Sequence, residues 1–274
     1  MAQRLRRCVR YARLVEVAGF ELVSGGQADA GVIADAVRDS VPVIEGMWPL
    51  RRPRWAKVVV WTDWLDGYRK GLPWYQRMLL PLMRKRIDGY GKRLWKLVGG
   101  ITLRTVPPAV LVKPPRLLEE ADVRLGEKLF VRLDDITDRV RSVTCHELVH
   151  AYATGKGLSP WLNEGLAMLT VDRFFGFDTV KPQTLELYVG GVDPPISSYL
   201  SLPKLTDSEL VRLYARGYWI TRYLHERHPD TLSKMVRKRY SNGDRERQIA
   251  RAVGVPRRRL WEQMDSIVFD HFHP

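Results

Sequence analysis

The sequence predicts an α+β protein in which a small mixed-sheet lobe is followed by a mostly helical lobe. Strand, helix and strand patterns follow one another in the first quarter of the chain, an order that indicates an α/β layer. After about residue 134 the apolar residues recur at helical spacing instead. With 274 residues, of which 45% are hydrophobic and 28% charged, the chain can bury one large core or two modest ones. We therefore expect an α/β lobe at about 19–133 and a helical lobe at about 134–274, preceded by a basic N-terminal arm at 1–18.

The first lobe begins with a strand and a helix. Residues 20–23 alternate between apolar and polar side chains, which is typical of a strand with one buried face. Residues 28–41 carry an apolar stripe at helical spacing, and Pro42 should end or kink that helix. The β-branched run at 57–62 then predicts a strand that is buried on both faces.

Three further strands are predicted before the helical lobe. Residues 101–103 and 109–112 are short apolar runs on either side of a proline turn. Residues 128–133 form the last predicted strand before the helices. Together with the earlier strands, these runs account for the expected sheet.

The helical lobe opens with two helices joined by a short loop. Asp134 and Asp135 can start the first helix, and Gly155 ends it. Ser159 is a suitable N-cap for the second helix, because Pro160 then occupies the first helical position, where its missing N–H has no cost. The loop is short enough for the second helix to fold back beside the first.

The first of these helices contains a pattern of metal-ligating residues, His146-Glu147-Leu148-Val149-His150. Two histidines four positions apart on a helix are about 40° out of phase and about 6 Å apart along the axis, so both imidazoles can point at one metal ion. Glu147 lies beside that face, where a carboxylate can reach a water on the metal without binding the metal itself. Glu164, in the second turn of the next helix, is the candidate third ligand. Two histidines and one glutamate around Zn²⁺ leave a fourth position for water, as in catalytic rather than structural zinc sites.

The same residues carry a resemblance to a known family. The pair of histidines with Glu147, followed by Trp161-Leu162-Asn163-Glu164-Gly165, resembles the gluzincin metallopeptidases, particularly compact relatives of the aminopeptidase N catalytic domain. The resemblance implies a zincin-like fold with the zinc cleft between the two lobes, one Zn²⁺ held by His146, His150 and Glu164, and Glu147 as the general base. The implied substrate is a peptide or protein. No G-x-M-E-N segment is present, so an endopeptidase is expected rather than an aminopeptidase.

Two further features are implied by the resemblance. A capping box at 206–209 opens a helix that contains Tyr214-Ala215-Arg216-Gly217. This resembles the Y-x-x-G of the aminopeptidase clan, and implies that the Tyr214 hydroxyl stabilises the oxyanion. The strand upstream of the zinc helix binds the substrate as an added strand in this family, which makes 128–133 the candidate substrate edge. Asn163 and Asp172 are both candidates to orient the histidines.

The chain is strongly basic, with 45 Lys and Arg against 31 Asp and Glu and a formal net charge of +14. A field of this size attracts polyanions, but no nucleic-acid-binding motif accompanies it, so no specific nucleic acid is expected as a partner. The basic residues are densest at 69–98, where they alternate with aromatic and aliphatic residues against Asp88 alone. One interpretation is a surface helical hairpin, broken at Gly89 and Gly91, whose apolar side packs on the protein. The other is a segment that lies on an anionic membrane surface.

Cysteine usage and hydropathy indicate the compartment. Only Cys8 and Cys145 are present, so no disulfide framework is expected, and Cys145 is predicted to be a small buried core residue. The basic N-terminus lacks the uninterrupted apolar run of a signal peptide, and no stretch is long and apolar enough to span a membrane. The expected location is cytoplasmic, with peripheral membrane attachment through 69–98 as the alternative.

Two functions other than hydrolysis stay open at the level of sequence. One is a catalytically silent, zinc-containing binding protein with the same ligands. The other is a peripheral membrane or polyanion-binding protein that uses the basic segment at 69–98.

Overall fold

The computed structural model describes residues 13–119, 124–188, 198–199 and 201–273 of the chain. In these residues the fold is α+β, as predicted, with a five-stranded sheet and a mostly helical second half. The strands are β1 (Arg13–Val17), β2 (Phe20–Ser24), β3 (Lys57–Val60), β4 (Gly100–Leu103) and β5 (Ala109–Val112). The helices are α1 (Gln27–Met47), α2 (Trp64–Gly71), α3 (Trp74–Leu97), α4 (Pro115–Glu119), α5 (Arg124–Leu129), α6 (Ile136–Ala153), α7 (Pro160–Phe175), α8 (Thr184–Tyr188), α9 (Asp207–Arg227), α10 (Pro229–Arg237), α11 (Asn242–Val253) and α12 (Leu260–Phe272).

The sheet is mixed, with the strand order β1-β2-β3-β5-β4. The three inner strands β2, β3 and β5 are parallel, and the outer strands β1 and β4 run antiparallel to their neighbours. Since β3 and β5 are buried on both faces, their runs of valine, leucine and alanine do not need to alternate with polar residues. Strand β4 lies at one edge of the sheet, next to α6.

The side chains of β3 and β5 alternate between two hydrophobic clusters on opposite faces of the sheet. Val58, Val60, Val110 and Val112 point into a large core shared with α1, α6, α7 and α9. Val59 and Leu111 point into a smaller cluster that contains tryptophans of α2 and α3. The sheet is therefore covered by helices on both faces, and the larger core carries the helix with the two histidines.

Local signals set the ends of α6 and α7. The carboxylate of Asp135 accepts a hydrogen bond of 2.7 Å from the backbone N–H of Thr137, which caps α6. The turn after α6 contains Gly155 with a φ of 82°, a conformation that glycine adopts without strain. Pro160 occupies the first position of α7, as expected. The loop between them turns α7 back against α6.

Helices α7 and α9 cross at two glycines. A Cβ added to Gly165 would overlap the carbonyl oxygen of Gly217, and a Cβ added to Gly217 would overlap the carbonyl oxygen of Trp161. Because neither glycine carries a side chain, the two backbones are in direct contact. This crossing sets the position of Glu164, next to Gly165, relative to the α9 helix that carries Tyr214.

Three expectations about the first lobe were wrong. The sheet includes Arg13–Val17, which pair with β2, so the lobe does not start at residue 19 and these residues are not part of an arm. Residues 1–12 lie outside the described part. Helix α1 does not end at Pro42 but continues to Met47, since Val41 and Ile44 are buried on both sides of the proline and stabilise the helix there, while a kink at Pro42 stays a prediction.

Helix α3 is also one continuous helix rather than a hairpin broken at Gly89 and Gly91. Gly91 packs directly against the indole of Trp64, where a Cβ would overlap the ring, so this glycine allows close helix packing. No helix among the described residues is both long and apolar enough to cross a membrane.

The predicted strand at 128–133 is absent, and this changes the candidate substrate edge. Arg124–Leu129 forms helix α5, and Phe130 makes only an isolated bridge with Val180. The apolar residue that suggested a strand, Leu129, is instead buried against Val211 and Ala215 of α9. The sheet edge beside the histidine helix is β4.

Candidate metal centre

His146 and His150 lie one turn apart on α6 and meet Glu164 from α7. The two Nε2 atoms are 3.1 Å apart, and Glu164 Oε2 lies 3.1 Å from His146 Nε2 and 3.3 Å from His150 Nε2. Ligands of a tetrahedral zinc ion at about 2.0 Å from the metal are about 3.3 Å from one another. The three atoms therefore form a triangle with the dimensions of one face of a zinc coordination tetrahedron.

Burial and charge also fit a cation at this triangle. Glu164 and His150 are each 7% exposed, so a carboxylate is held in the protein interior. Burial by itself would raise the pKa of Glu164, but the adjacent imidazoles outweigh burial and hold the pKa well below its usual range. Burial would lower the pKa of His150, but the carboxylates of Glu164 and Glu147 outweigh it and raise the pKa. The site therefore contains a buried carboxylate beside two imidazole rings.

Asn163 supports the ring of His150. Its Nδ2 lies 2.6 Å from His150 Nδ1, and its Oδ1 is buried without a hydrogen-bond partner in the described structure. Exchanging the amide O and N, which are assigned from the hydrogen-bond network, would let Oδ1 accept a hydrogen bond from Nδ1–H. In that tautomer the lone pair of Nε2 points into the triangle, as a metal ligand requires. In this orientation of its amide, Asn163 would hold the tautomer of His150 that can bind a metal.

Glu147 lies beside the triangle and is held by the edge strand. The ligand atoms of Glu147, His146 and His150 all lie within 4.8 Å of one another. The Glu164 carboxylate is closer to the two rings, at 3.1 and 3.3 Å from their Nε2 atoms. The Thr102 hydroxyl of β4 lies 2.7 Å from Glu147 Oε2 and 2.8 Å from the backbone carbonyl of Glu147. Thr102 was not predicted from the sequence, because nothing in the sequence indicates that β4 contacts α6.

The close approach of β4 to α6 depends on glycines. A Cβ at Gly100 would lie 2.8 Å from Glu147 Cγ, and a Cβ at Gly99 would lie 2.6 Å from a methyl of Val143. Side chains at these two positions would push the edge strand away from Glu147. Gly99 and Gly100, at the start of β4, permit such a close approach, but they do not indicate in the sequence which element the strand approaches.

Two cavities meet at the site and share His146, Glu147 and Tyr214. The first has a volume of about 440 Å³, and its apolar side chains include Leu118, Leu129, Phe130, Val143 and Met168. The second has a volume of about 400 Å³ and is lined by β4, His150, Glu164 and four leucines, Leu202, Leu205, Leu210 and Leu213. Open space therefore extends from the triangle in two directions.

The structure brings Tyr214 to the site but places Asp172 elsewhere. Tyr214 is half-buried and borders both cavities beside His146 and Glu147. Asp172 accepts hydrogen bonds from the backbone N–H and hydroxyl of Thr179, at 2.7 and 2.6 Å, and from the hydroxyl of Tyr218 at 2.6 Å. Of the two candidates to orient the histidines, Asn163 is therefore the one that contacts a ring.

Arg104 and Tyr199 form a second feature that the sequence did not indicate. The Arg104 guanidinium carbon lies 3.4 Å from the centroid of the Tyr199 ring, and both residues line the second cavity with His150 and Glu164. Arg104 directly follows β4, so an exposed cation stands at the end of the edge strand. It could interact with a negative group on a molecule bound along β4.

Comparison with known proteins neither adds to nor contradicts this arrangement. No protein-family model matches the chain, and no curated protein shows significant similarity to it. The assignment of a metal centre therefore depends on the geometry of His146, His150 and Glu164.

Proposed function

We propose that the protein is a zinc-dependent peptide-bond hydrolase of zincin-like fold, with the zinc cleft between its sheet lobe and its helical lobe. The observation that supports this most strongly is the triangle of His146 Nε2, His150 Nε2 and Glu164 Oε2. Zn²⁺ at these ligands would act as a Lewis acid and lower the pKa of a water from about 15.7 to about 7.

The surrounding residues support this proposal. Glu147, beside the triangle, takes the proton from the attacking water and passes it to the leaving amine. Thr102 fixes the carboxylate of Glu147 through the hydrogen bond at Oε2. Tyr214 borders the same space and supplies a hydroxyl donor for the developing oxyanion, a contribution of about 3 kcal/mol in comparable sites.

Strand β4 is the proposed substrate edge. It pairs with β5 on one side, and its residues line the second cavity on the other. An extended peptide can add to such an edge through main-chain hydrogen bonds, which gives binding with little dependence on sequence. Because cavities extend from the triangle in two directions, the substrate chain can continue past the site on both sides. This favours an endopeptidase over an aminopeptidase.

The test combines metal analysis with peptide cleavage. The purified parent should contain one zinc per chain and cleave peptides from an unbiased library, and a chelator should abolish cleavage. Glu147→Gln should keep the zinc and lose cleavage by several orders of magnitude, because its amide cannot accept the proton. Glu164→Ala should lose zinc itself. Tyr214→Phe should keep zinc and cleave roughly 100-fold more slowly.

A matched control is Glu186→Gln, which changes an exposed glutamate on α8 and should alter neither property. Cleavage by Glu147→Gln at the parental rate would remove the base assignment. A parent that holds zinc but cleaves no peptide would instead be a zinc-containing binding protein.

A further inference from the structure

We propose that the end of the sheet lobe formed by α3 and its neighbouring loops binds an anionic phospholipid bilayer. The first two turns of α3 expose four apolar side chains. Trp74 is 73% exposed, Tyr75 45%, Met78 70% and Leu79 54%. On a helix, residues three and four positions apart are neighbours, so Trp74 lies beside Met78, and Tyr75 beside Met78 and Leu79, in one apolar strip. Single exposed apolar residues are ordinary, but a contiguous strip marks an interaction surface.

Two other exposed apolar residues lie at the same end of the sheet. The Tyr75 hydroxyl donates a hydrogen bond of 3.0 Å to the carbonyl of Val106, which is 75% exposed. The backbone N–H of Lys57 donates a 3.1 Å bond to the carbonyl of Pro108 in the same loop, and Trp55, two residues before Lys57, is 81% exposed. We call the six residues the apolar rim: Trp55, Trp74, Tyr75, Met78, Leu79 and Val106.

The conformation and exposure of Trp55 indicate that the apolar rim has a role other than packing in the folded protein. The φ of Trp55 is 60°, in the left-handed region that is unfavourable for residues other than glycine. Its side chain is nevertheless mostly in solvent. A strained and exposed tryptophan contributes little to folding, whereas at a bilayer surface its ring can lie at the level of the headgroups.

The charge around the rim is positive. Arg51, Arg54, Arg69 and Arg77 are all exposed near the rim in sequence. Within 69–98, nine lysines and arginines accompany one acidic residue. Cations near an anionic leaflet are attracted to it. Exposed tryptophan, methionine and leucine with arginines nearby in sequence are the side chains that a bilayer interface accommodates, because the apolar groups enter the acyl boundary while the cations meet the headgroups.

The positive charge disfavours two other partners for this surface, a second copy of this chain and a nucleic acid. A second copy would bring two basic surfaces together, and like charges opposed across an interface repel each other. A nucleic acid would satisfy the arginines, but its phosphates offer no partner for Met78 and Leu79. An anionic bilayer is the one of these surfaces that matches both the charge and the apolar groups.

The apolar rim is connected to the candidate metal centre. The loop that holds Val106 begins at Arg104, which lines the second cavity beside His150 and Glu164. Membrane binding would therefore hold that cavity close to the lipid surface. The proposal itself depends only on the rim and its charge, so it stands even if the centre does not hydrolyse peptides.

Co-sedimentation with vesicles tests the proposal. The full chain should bind vesicles of phosphatidylcholine that contain phosphatidylserine, bind pure phosphatidylcholine at least tenfold more weakly, and lose binding as salt rises. The double variant Trp74→Ser, Met78→Ser should bind the anionic vesicles at least tenfold more weakly. Because both side chains are exposed, its far-ultraviolet circular dichroism and thermal midpoint should match those of the parent.

The control is Phe177→Ser, which removes an exposed aromatic residue (47%) after α7 and should leave vesicle binding unchanged. Three outcomes would overturn the proposal. In the first, the parent does not bind anionic vesicles even at low salt. In the second, the double variant binds these vesicles as tightly as the parent. In the third, sedimentation shows that the parent is a dimer and the double variant a monomer. Binding to a DNA duplex that is tighter than binding to vesicles and unaffected by the double variant would also overturn it.

Discussion

At the residue scale, the side-chain amide of Asn163 decides how His150 is presented. It is 1% exposed and lies 2.6 Å from His150 Nδ1. Asn163→Ala should lower zinc affinity by about 10- to 100-fold, because the ring loses the hydrogen bond that sets its tautomer and orientation. Competition with a chromophoric chelator measures the affinity.

Ser159→Ala is the control for this variant. It removes another buried polar group at the start of α7, one whose hydroxyl has no hydrogen-bond partner in the described structure. Its zinc affinity should equal that of the parent. If Asn163→Ala also bound zinc like the parent, the amide would not position the ring.

Lys113 is a second residue whose role can be tested. Its side chain is 4% exposed, and its Nζ lies 5.4 Å from the centroid of the Trp95 ring. Burial lowers the pKa of Lys113 from 10.5 to about 8. Below about pH 8 both folded and unfolded chains hold the proton, so the folded state carries the full cost of a buried cation. Between about pH 8 and 10.5 the unfolded chain binds more protons, so this cost falls as the pH rises.

Lys113→Met should therefore stabilise the protein at neutral pH by about 1–2 kcal/mol, after allowance for solvent near the ammonium group. The advantage over the parent should shrink toward pH 10.5, where the parental amine is largely neutral in both states. Denaturant unfolding across this pH range measures the difference in the free energy of unfolding between Lys113→Met and the parent. The exposed Lys238→Met serves as the control, and an equal gain in that variant would refute the burial argument.

At the element scale, the crossing of α7 and α9 positions the site. Gly217→Ala should destabilise the fold by about 3 kcal/mol or more, because the new methyl overlaps the Trp161 carbonyl and the helices must separate. Zinc affinity should fall as well, since Glu164 moves with α7. Chemical unfolding and zinc titration measure the two effects.

A glycine in an open part of a helix gives the matched control. Gly31 lies within α1, and a Cβ there would meet no atom within 4 Å. Gly31→Ala should therefore stabilise the protein by about 0.5–1 kcal/mol. If both alanine variants had the same effect, the helix crossing would not depend on a missing side chain.

Helices and strands were predicted correctly where the residues that determine them lie close together in the sequence. The capped ends of α6, α7 and α9 and the buried strand β3 were predicted because cap residues and apolar runs act within a few positions of themselves. Residues 128–133 were wrongly predicted to be a strand, because Leu129 packs against Val211 and Ala215 of α9, which lie more than eighty positions further along the chain. An apolar run alone cannot show which partner covers it.

At the scale of the whole molecule, metal binding and folding should be linked. The three proposed ligands come from two helices of the main core, and a ligand that binds only the folded state stabilises that state. At zinc concentrations about 1000 times the dissociation constant, the gain is about 4 kcal/mol. The thermal midpoint should therefore be several degrees higher with zinc than with a chelator.

The control for this measurement is Glu164→Ala, whose midpoint should not respond to zinc. Magnesium should also leave the parental midpoint unchanged, because two imidazoles are poor ligands for Mg²⁺. Identical parental midpoints with zinc and with chelator would contradict a metal centre in the folded core.

The sequence by itself determined the α+β class, the helix pair that carries His146, His150 and Glu164, and the burial of Cys145, which is 0% exposed. These depend on helical period, caps and spacing, which are properties of neighbouring residues. Only the tertiary structure decided that the sheet edge beside the histidine helix is β4 rather than 128–133, that Thr102 holds Glu147, and that Asn163 contacts His150. Those contacts join residues far apart in the chain, and they form only when helices and sheet pack around a common core.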